Sequence, residues 1–130
     1  AGIDFYVEVK SDLKCMPMEP WELCKVLSNL IDNAITALAE KESERKMVLE
    51  IIEDRENYLF SVSDNGIPIP KERQATIFRS GFTTKKEPGH GMGLFIVSNV
   101  LKKNDGAISV KSDEKETTFT VCLKKGIPKA

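Results

Sequence analysis

Three glycines at alternate positions, Gly89, Gly91 and Gly93, separated by His90 and Met92, stand directly before Leu94 and a helix-like run over residues 95–103. Such a run strips side-chain bulk from the main chain. Amide N–H groups can then approach an anion closely, at the point where a helix presents its unpaired N-terminal donors and the positive end of its dipole. A phosphate fits that description and so, taken alone, does a hinge before a helix. The spacing matches neither common nucleotide loop: no G-x-x-x-x-G-K-[ST] occurs, and Leu94 stands where the last glycine of G-x-G-x-x-G would be.

With 130 residues the chain is long enough to bury a core in one domain without disulfide or metal staples. Hydrophobic content of 41% and charged content of 30% belong to globular sequences rather than disordered ones. The formal net charge is −1 and the basic residues fall in scattered pairs, so the composition does not suggest the basic face that nucleic acid would need. Cys15, Cys24 and Cys122 are odd in number and lack C-x-x-C spacing, which argues against a disulfide framework or a zinc site and implies a reducing, cytoplasmic compartment. Cys24 and Cys122 are expected to be small core or boundary residues. No signal peptide or membrane-length apolar run is present, so no direct membrane contact is expected of this region. A start without methionine, directly in a strand pattern, suggests a piece of a longer polypeptide.

Ile3, Phe5, Val7 and Val9 alternate with polar or amphipathic residues and predict a strand with one buried face. Glu19-Pro20 suits the start of a helix, and Leu23, Leu27, Leu30, Ala34 and Leu38 recur at spacings of three and four, so residues 21–40 should form a long helix with one apolar stripe. Residues 47–53 and 58–64, joined by Asp54-Arg55-Glu56-Asn57, read as an antiparallel hairpin. A short helix is expected over 71–78, then a mobile lid-like loop over 79–90. The helix from Leu94 should close at Asn104-Asp105-Gly106, with glycine as its terminator. Strands over 107–111 and 117–123 follow, the second with Phe119, Val121 and Leu123 on one face.

Asn29 and Asn33 lie four apart on the long helix, at the edge of its apolar stripe. Asparagine is a mediocre helix former because its amide competes with the main chain, so two on one ridge call for a reason, although a solvated face would also accommodate them. Asp64-Asn65-Gly66 leaves a carboxylate where the second hairpin strand ends, a tripeptide that is also an ordinary turn.

In this order, the asparagine pair, the Asp64-Asn65-Gly66 turn, a lid with Phe82 shortly after Phe78, and the glycine triplet, the chain resembles the ATP-binding domain of sensor histidine kinases. These belong to the wider superfamily of gyrase-type topoisomerases, heat-shock chaperones and mismatch-repair ATPases. The likeness covers nearly all of residues 1–130, and the segment from Ile77 to Lys85 is closest to citrate- or peptide-sensing kinases. It implies a single catalytic domain of the Bergerat-type ATP-binding fold: an α/β (α+β) two-layer sandwich, its mixed, mostly antiparallel sheet covered on one face by helices starting near Pro20 and Gly93. The resemblance makes Asn33 the ligand of Mg2+ and sets Asn29 beside the same phosphates. It gives Asp64 the adenine amino group and Gly66 a close approach to the base. Phe82, Lys85, Gly89, His90, Gly91, Met92, Gly93 and Leu94 fall to the lid and the triphosphate, with Lys85 read equally well as a solvated lysine. His90 is the only histidine, but the family keeps its phosphoacceptor on a separate dimerisation domain, so His90 is a lid residue here.

Two positions depart from the family. Pro68 replaces a second glycine and should stiffen the base-side loop, and Thr36 replaces a basic residue near the phosphates. Superfamily hydrolases carry a glutamate one turn before the magnesium asparagine, whereas this chain has Asn29, whose amide cannot take a proton from water. The implied function is therefore transfer of the γ-phosphoryl group of ATP to histidine, with a response regulator downstream. The alternatives are a nucleotide-binding interaction module and a serine kinase of the anti-sigma-factor type.

Overall fold

A computed structural model describes residues 2–14, 16–74 and 90–126, with the main chain alone for residues 90–93. The elements run β1 (Ile3–Val9), α1 (Pro20–Leu38), β2 (Arg45–Glu53), β3 (Asn57–Asp64), α2 (Lys71–Gln74), α3 (His90–Lys103), β4 (Ala107–Ser112) and β5 (Thr117–Lys124). One sheet of five strands has the order β1-β2-β3-β5-β4. β1 and β2 are parallel and every other neighbouring pair is antiparallel, the mixed sheet expected.

One face of this sheet is the floor of the core. Met47, Leu49 and Ile51 of β2, Tyr58, Phe60 and Val62 of β3, and Phe119, Val121 and Leu123 of β5 are buried in strict alternation. α1 and α3 lie over that face, packed on each other and on the strands. Burying seventeen apolar side chains among the described residues is the main term holding the layers together, at roughly 1.5–3 kcal/mol for each large one before the cost of ordering the chain.

α1 begins as its sequence suggests. Proline occupies the first turn, and Glu19 and Glu22 form a reciprocal capping box. The buried line of this helix is Glu22, Val26, Leu30, Ala34 and Leu38, with Leu23 and Leu27 only partly covered. The stripe is thus rotated from the one counted on leucines, and it includes the buried Glu22 side chain, which meets Lys103 Nζ at 3.3 Å. Cys24 is exposed rather than at a core boundary, on the flank turned away from that line.

Two further expectations are corrected. β1 forms but does not bury a face: Phe5, Val7 and Val9 are 48%, 56% and 54% exposed although they stand in register with buried Met47, Leu49 and Ile51. The reason is position, since β1 is the edge strand beyond the reach of α1, which packs on β2 and β3. α3 starts at His90, four residues before Leu94, so Gly91 and Gly93 belong to its first turn; glycine accepts helical dihedrals as well as loop ones. At the other end α3 closes after Lys103 as expected, with Gly106 beyond it donating to Leu101 O; the left-handed residue is Asp105 (φ 57°), and a Cβ at Gly106 would lie 2.6 Å from Leu123 Cδ2. The short helix after Pro70 is described over Lys71–Gln74, and residues 75–89 lie outside the described residues. Among the described residues no helix is long and apolar enough to cross a membrane.

Candidate functional site

Asp64 is the last residue of β3 and keeps the phase of Tyr58, Phe60 and Val62, so its carboxylate points to the core side of the sheet and is only 4% exposed. One oxygen, Oδ1, accepts the Gly66 N–H at 2.9 Å. Burial pushes the carboxyl up to about 6; the Gly66 hydrogen bond pulls the other way, and the charge of Glu116 adds to the rise. No cation is paired with it in the structure's described ion pairs. A buried carboxylate with one oxygen held by Gly66 and a raised pKa is suited to accepting a hydrogen from a neutral polar donor through the other.

The turn after Asp64 is pinned on two sides. Asn65 Oδ1 accepts the Lys46 N–H at 2.8 Å and its Nδ2 donates to Glu44 O at 2.7 Å, which ties the turn to the start of β2. On the other side Gly66 rests on the end of α1: a Cβ at this position would lie 2.6 Å from both C and O of Ala37, and the Ile67 N–H donates to Ala37 O. Here the absence of a side chain is required by contact with the helix main chain. Ala37 is one helical turn beyond Asn33, about 6 Å along the axis. The carboxylate and the asparagine helix thus converge at one end of the molecule.

The two asparagines differ. Asn29 turns its Nδ2 back onto its own helix, donating to Lys25 O at 2.8 Å. Asn33 has a buried Nδ2 with no hydrogen-bond partner among the described residues. Leaving a buried amide unmatched costs about 1–3 kcal/mol, so this end of Asn33 calls for a partner that the described residues do not supply. The two ends of a carboxamide have the same shape, and a half-turn would present its oxygen to a hard cation instead. The chemistry of Asn33 therefore suits an oxygen ligand for such a cation, whereas Asn29 already has one local partner.

Other expected site residues fall in three groups. Phe82, Lys85 and Gly89 lie outside the described residues. His90, Gly91, Met92 and Gly93 form the first turn of α3, whose main-chain N–H groups lack partners within the helix. Leu94, expected to touch the ligand, places its side chain in the core cluster, 8% exposed, and has only its main chain to offer. Thr117 was not singled out in the sequence. It is 2% exposed and sits in register opposite Asp64. Its signal was available: in phase with Phe119, Val121 and Leu123, it is a polar residue at a core-facing strand position.

With this geometry in place, comparison with known proteins gives a consistent result. Residues 18–127 match the family described as histidine kinase-, DNA gyrase B- and HSP90-like ATPases. The chain belongs to this family. Within it, the chain is 31% identical to a probable C4-dicarboxylate sensor kinase of Halalkalibacterium halodurans over 95% of its length and 24% of that protein. It is 38% identical to the sensor histidine kinase ZraS of Salmonella typhimurium, over 85% of its length and 23% of that protein. The chain thus spans about a quarter of these relatives. The catalytic domain of histidine kinase ThkA, in a nucleotide-free form, superposes with a TM-score of 0.83 at 30% identity, covering 97% of this chain and 82% of that one. ThkA has also been solved in complex with the response regulator TrrA; that structure matches at a TM-score of 0.73 and 26% identity, covering 95% of this chain and 34% of that one.

Proposed function

We propose that this ATPase-family chain is the catalytic unit of a longer, cytoplasmically active sensor kinase, binding magnesium-ATP and passing its γ-phosphoryl group to a histidine on a dimerisation domain. The observation that carries the reading is Asp64: a buried carboxylate, held by Gly66, on a turn seated one helical turn from an asparagine with an unmatched amide.

Each residue has a distinct task. Asp64 accepts a hydrogen from the adenine 6-amino group through the oxygen not held by Gly66; guanine would set a carbonyl against it. Thr117, beside it in the sheet, closes the same end. Asn33 offers its carboxamide oxygen to Mg2+, which when bound neutralises the phosphate oxygens. The first turn of α3 directs N–H groups and its dipole at the triphosphate. Phe82, Lys85 and Gly89 complete the lid side in this reading. In the transfer, the lone pair of a neutral imidazole nitrogen forms a bond to the γ-phosphorus. The bond from that phosphorus to the β,γ-bridging oxygen breaks, and ADP leaves with the electron pair. Asn29 cannot serve as a base for water, and its amide is directed to Lys25 O, which favours transfer over hydrolysis. The phosphorylated histidine would then supply a response regulator.

The test is to incubate the chain with γ-labelled magnesium-ATP and the dimerisation domain of its parent protein. Acid-labile, alkali-stable label on that domain is expected. Binding without transfer would support the interaction-module reading, and acid-stable label on serine the serine-kinase reading.

A further inference from the structure

We propose that Ser112, the last residue of β4, is a positioning residue for the adenine end of the site: its hydroxyl holds residues 66–70 in place and so keeps Asp64 correctly aimed. The inference rests on the nucleotide reading above and goes beyond it, because Ser112 touches neither base nor phosphate in that reading.

The case starts from the donors of this short segment. Pro68 and Pro70 have none, so residues 66–70 carry three main-chain N–H groups, and each is matched to a different element. Gly66 donates to Asp64 Oδ1, Ile67 donates to Ala37 O, and Ile69 donates to Ser112 Oγ at 2.7 Å. The third of these is the only one of the three made to a side chain from outside β3 and its turn. The Ser112 hydroxyl is also within 2.6 Å of Thr117 Oγ1, and Thr117 stands opposite Asp64 in the β3–β5 register. One hydroxyl thus joins the segment that leaves Asp64 to the strand residue that flanks Asp64. A second clasp lies beside it: Gln74 Nε2 of α2 donates to Ile69 O at 2.9 Å and reaches Ser112 O at 3.4 Å. The half-buried Ile69 side chain packs against the core from the same position.

A hydroxyl is well suited to this junction. It can accept from Ile69 while exchanging a hydrogen bond with Thr117, which neither a methyl nor an amine could do with both partners. Without it, the half-buried Ile69 N–H loses its acceptor, residues 66–70 lose their anchor to β4, and the Gly66 N–H that fixes one oxygen of Asp64 is held less firmly, by the contacts to β2 and α1. The effect belongs to the base end only, so it should be the same for a nucleoside and for its triphosphate.

The experiment uses the whole chain, with adenosine and magnesium-ATP as titrants and amide hydrogen exchange read by NMR. Ser112→Ala should weaken both ligands alike, by roughly fivefold, the worth of one net hydrogen bond. The Ile69 amide should exchange faster while the amides of Val62 and Val121 at the sheet centre keep their protection. Ser112→Thr, which restores the hydroxyl, should recover both affinity and protection. If Ser112→Ala does not fold, Ser112→Cys keeps the size with a weak acceptor and should show the same pattern in smaller degree. Unchanged affinity in a folded Ala or Cys variant would overturn the inference, as would equal loss of protection at Ile69, Val62 and Val121, which would mark a merely structural role. A wild-type chain that binds neither ligand would instead remove the nucleotide reading, and this inference with it.

Discussion

Acidification offers a direct probe of the base end. In the proposed role Asp64 accepts the adenine amino hydrogen most strongly when ionised, yet its carboxyl is pushed up to about 6, with burial as the main cause. At about pH 5 the free protein would hold some ten protonated carboxyls for each ionised one, against nearly complete ionisation at about pH 7.5. Adenosine affinity should therefore fall about tenfold between those values, equivalent to about 1.4 kcal/mol. Adenosine is the right ligand because phosphates titrate in the same window. Titration calorimetry at constant ionic strength reads the change, and Asp64→Asn, which cannot titrate, should flatten the profile. The ligand-free chain carries the opposite dependence. Between its ordinary range and about 6, Asp64 binds more protons folded than unfolded, so the folded state gains stability as pH falls from 7 towards 5. Asp54 and Asp113 are held below the usual carboxylate range by main-chain N–H groups, so their stabilising effect is lost only at lower pH. Adenosine affinity that is level from about pH 7.5 to about 5 in the wild type would refute the role given to Asp64.

Asn33→Ala should bring ATP affinity in magnesium down to the magnesium-free value while leaving adenosine affinity unchanged, as titrations with and without the metal will show. Gly66→Ala should destabilise the fold by about 1–3 kcal/mol, because its Cβ would meet the Ala37 carbonyl at 2.6 Å and main chain must shift; urea denaturation measures this. Guanosine should fail to displace adenosine in competition, since its carbonyl would face the Asp64 carboxylate.

Much of this arrangement is legible from residue order. The alternation in β2, β3 and β5 names the core, and the three-four spacing in α1 finds it at Leu30, Ala34 and Leu38 but not at Leu23 and Leu27, because a strand has one buried face set by period while a helix stripe can rotate. What period cannot report is which neighbour covers that face. β1 carries the same alternation as β2 and is left exposed, since its place at the sheet edge is a property of topology. Glu22 was hidden for a related reason: a charged residue enters the buried line only because the capping box and Lys103 meet it there. At the site, Asp64 and Asn33 are visible as polar residues on apolar elements, whereas Ser112 and Thr117 look like ordinary strand-end hydroxyls. Their link to Asp64 depends on β5 lying between β3 and β4, a pairing across more than fifty residues of sequence.

The two ends of the site rest on different kinds of structure, and this divides the work of recognition. Asp64 lies within hydrogen-bonded sheet, on a turn fixed by Asn65 to β2 and by Gly66 to α1, so the base end is built before any ligand arrives. A preorganised end contributes the same binding free energy to adenosine, ADP and ATP, and so cannot tell substrate from product. In the proposed reading, discrimination for the γ-phosphoryl group falls to the other end, where Asn33 has an amide unmatched among the described residues and the first N–H groups of α3 lack partners within the helix. Changes at Asp64, Gly66 or Ser112 should accordingly shift affinity for all three ligands in parallel. Changes at Asn33 should alter their ranking, which is the pattern expected if one rigid pocket holds the base and a separate set of groups acts on the phosphates.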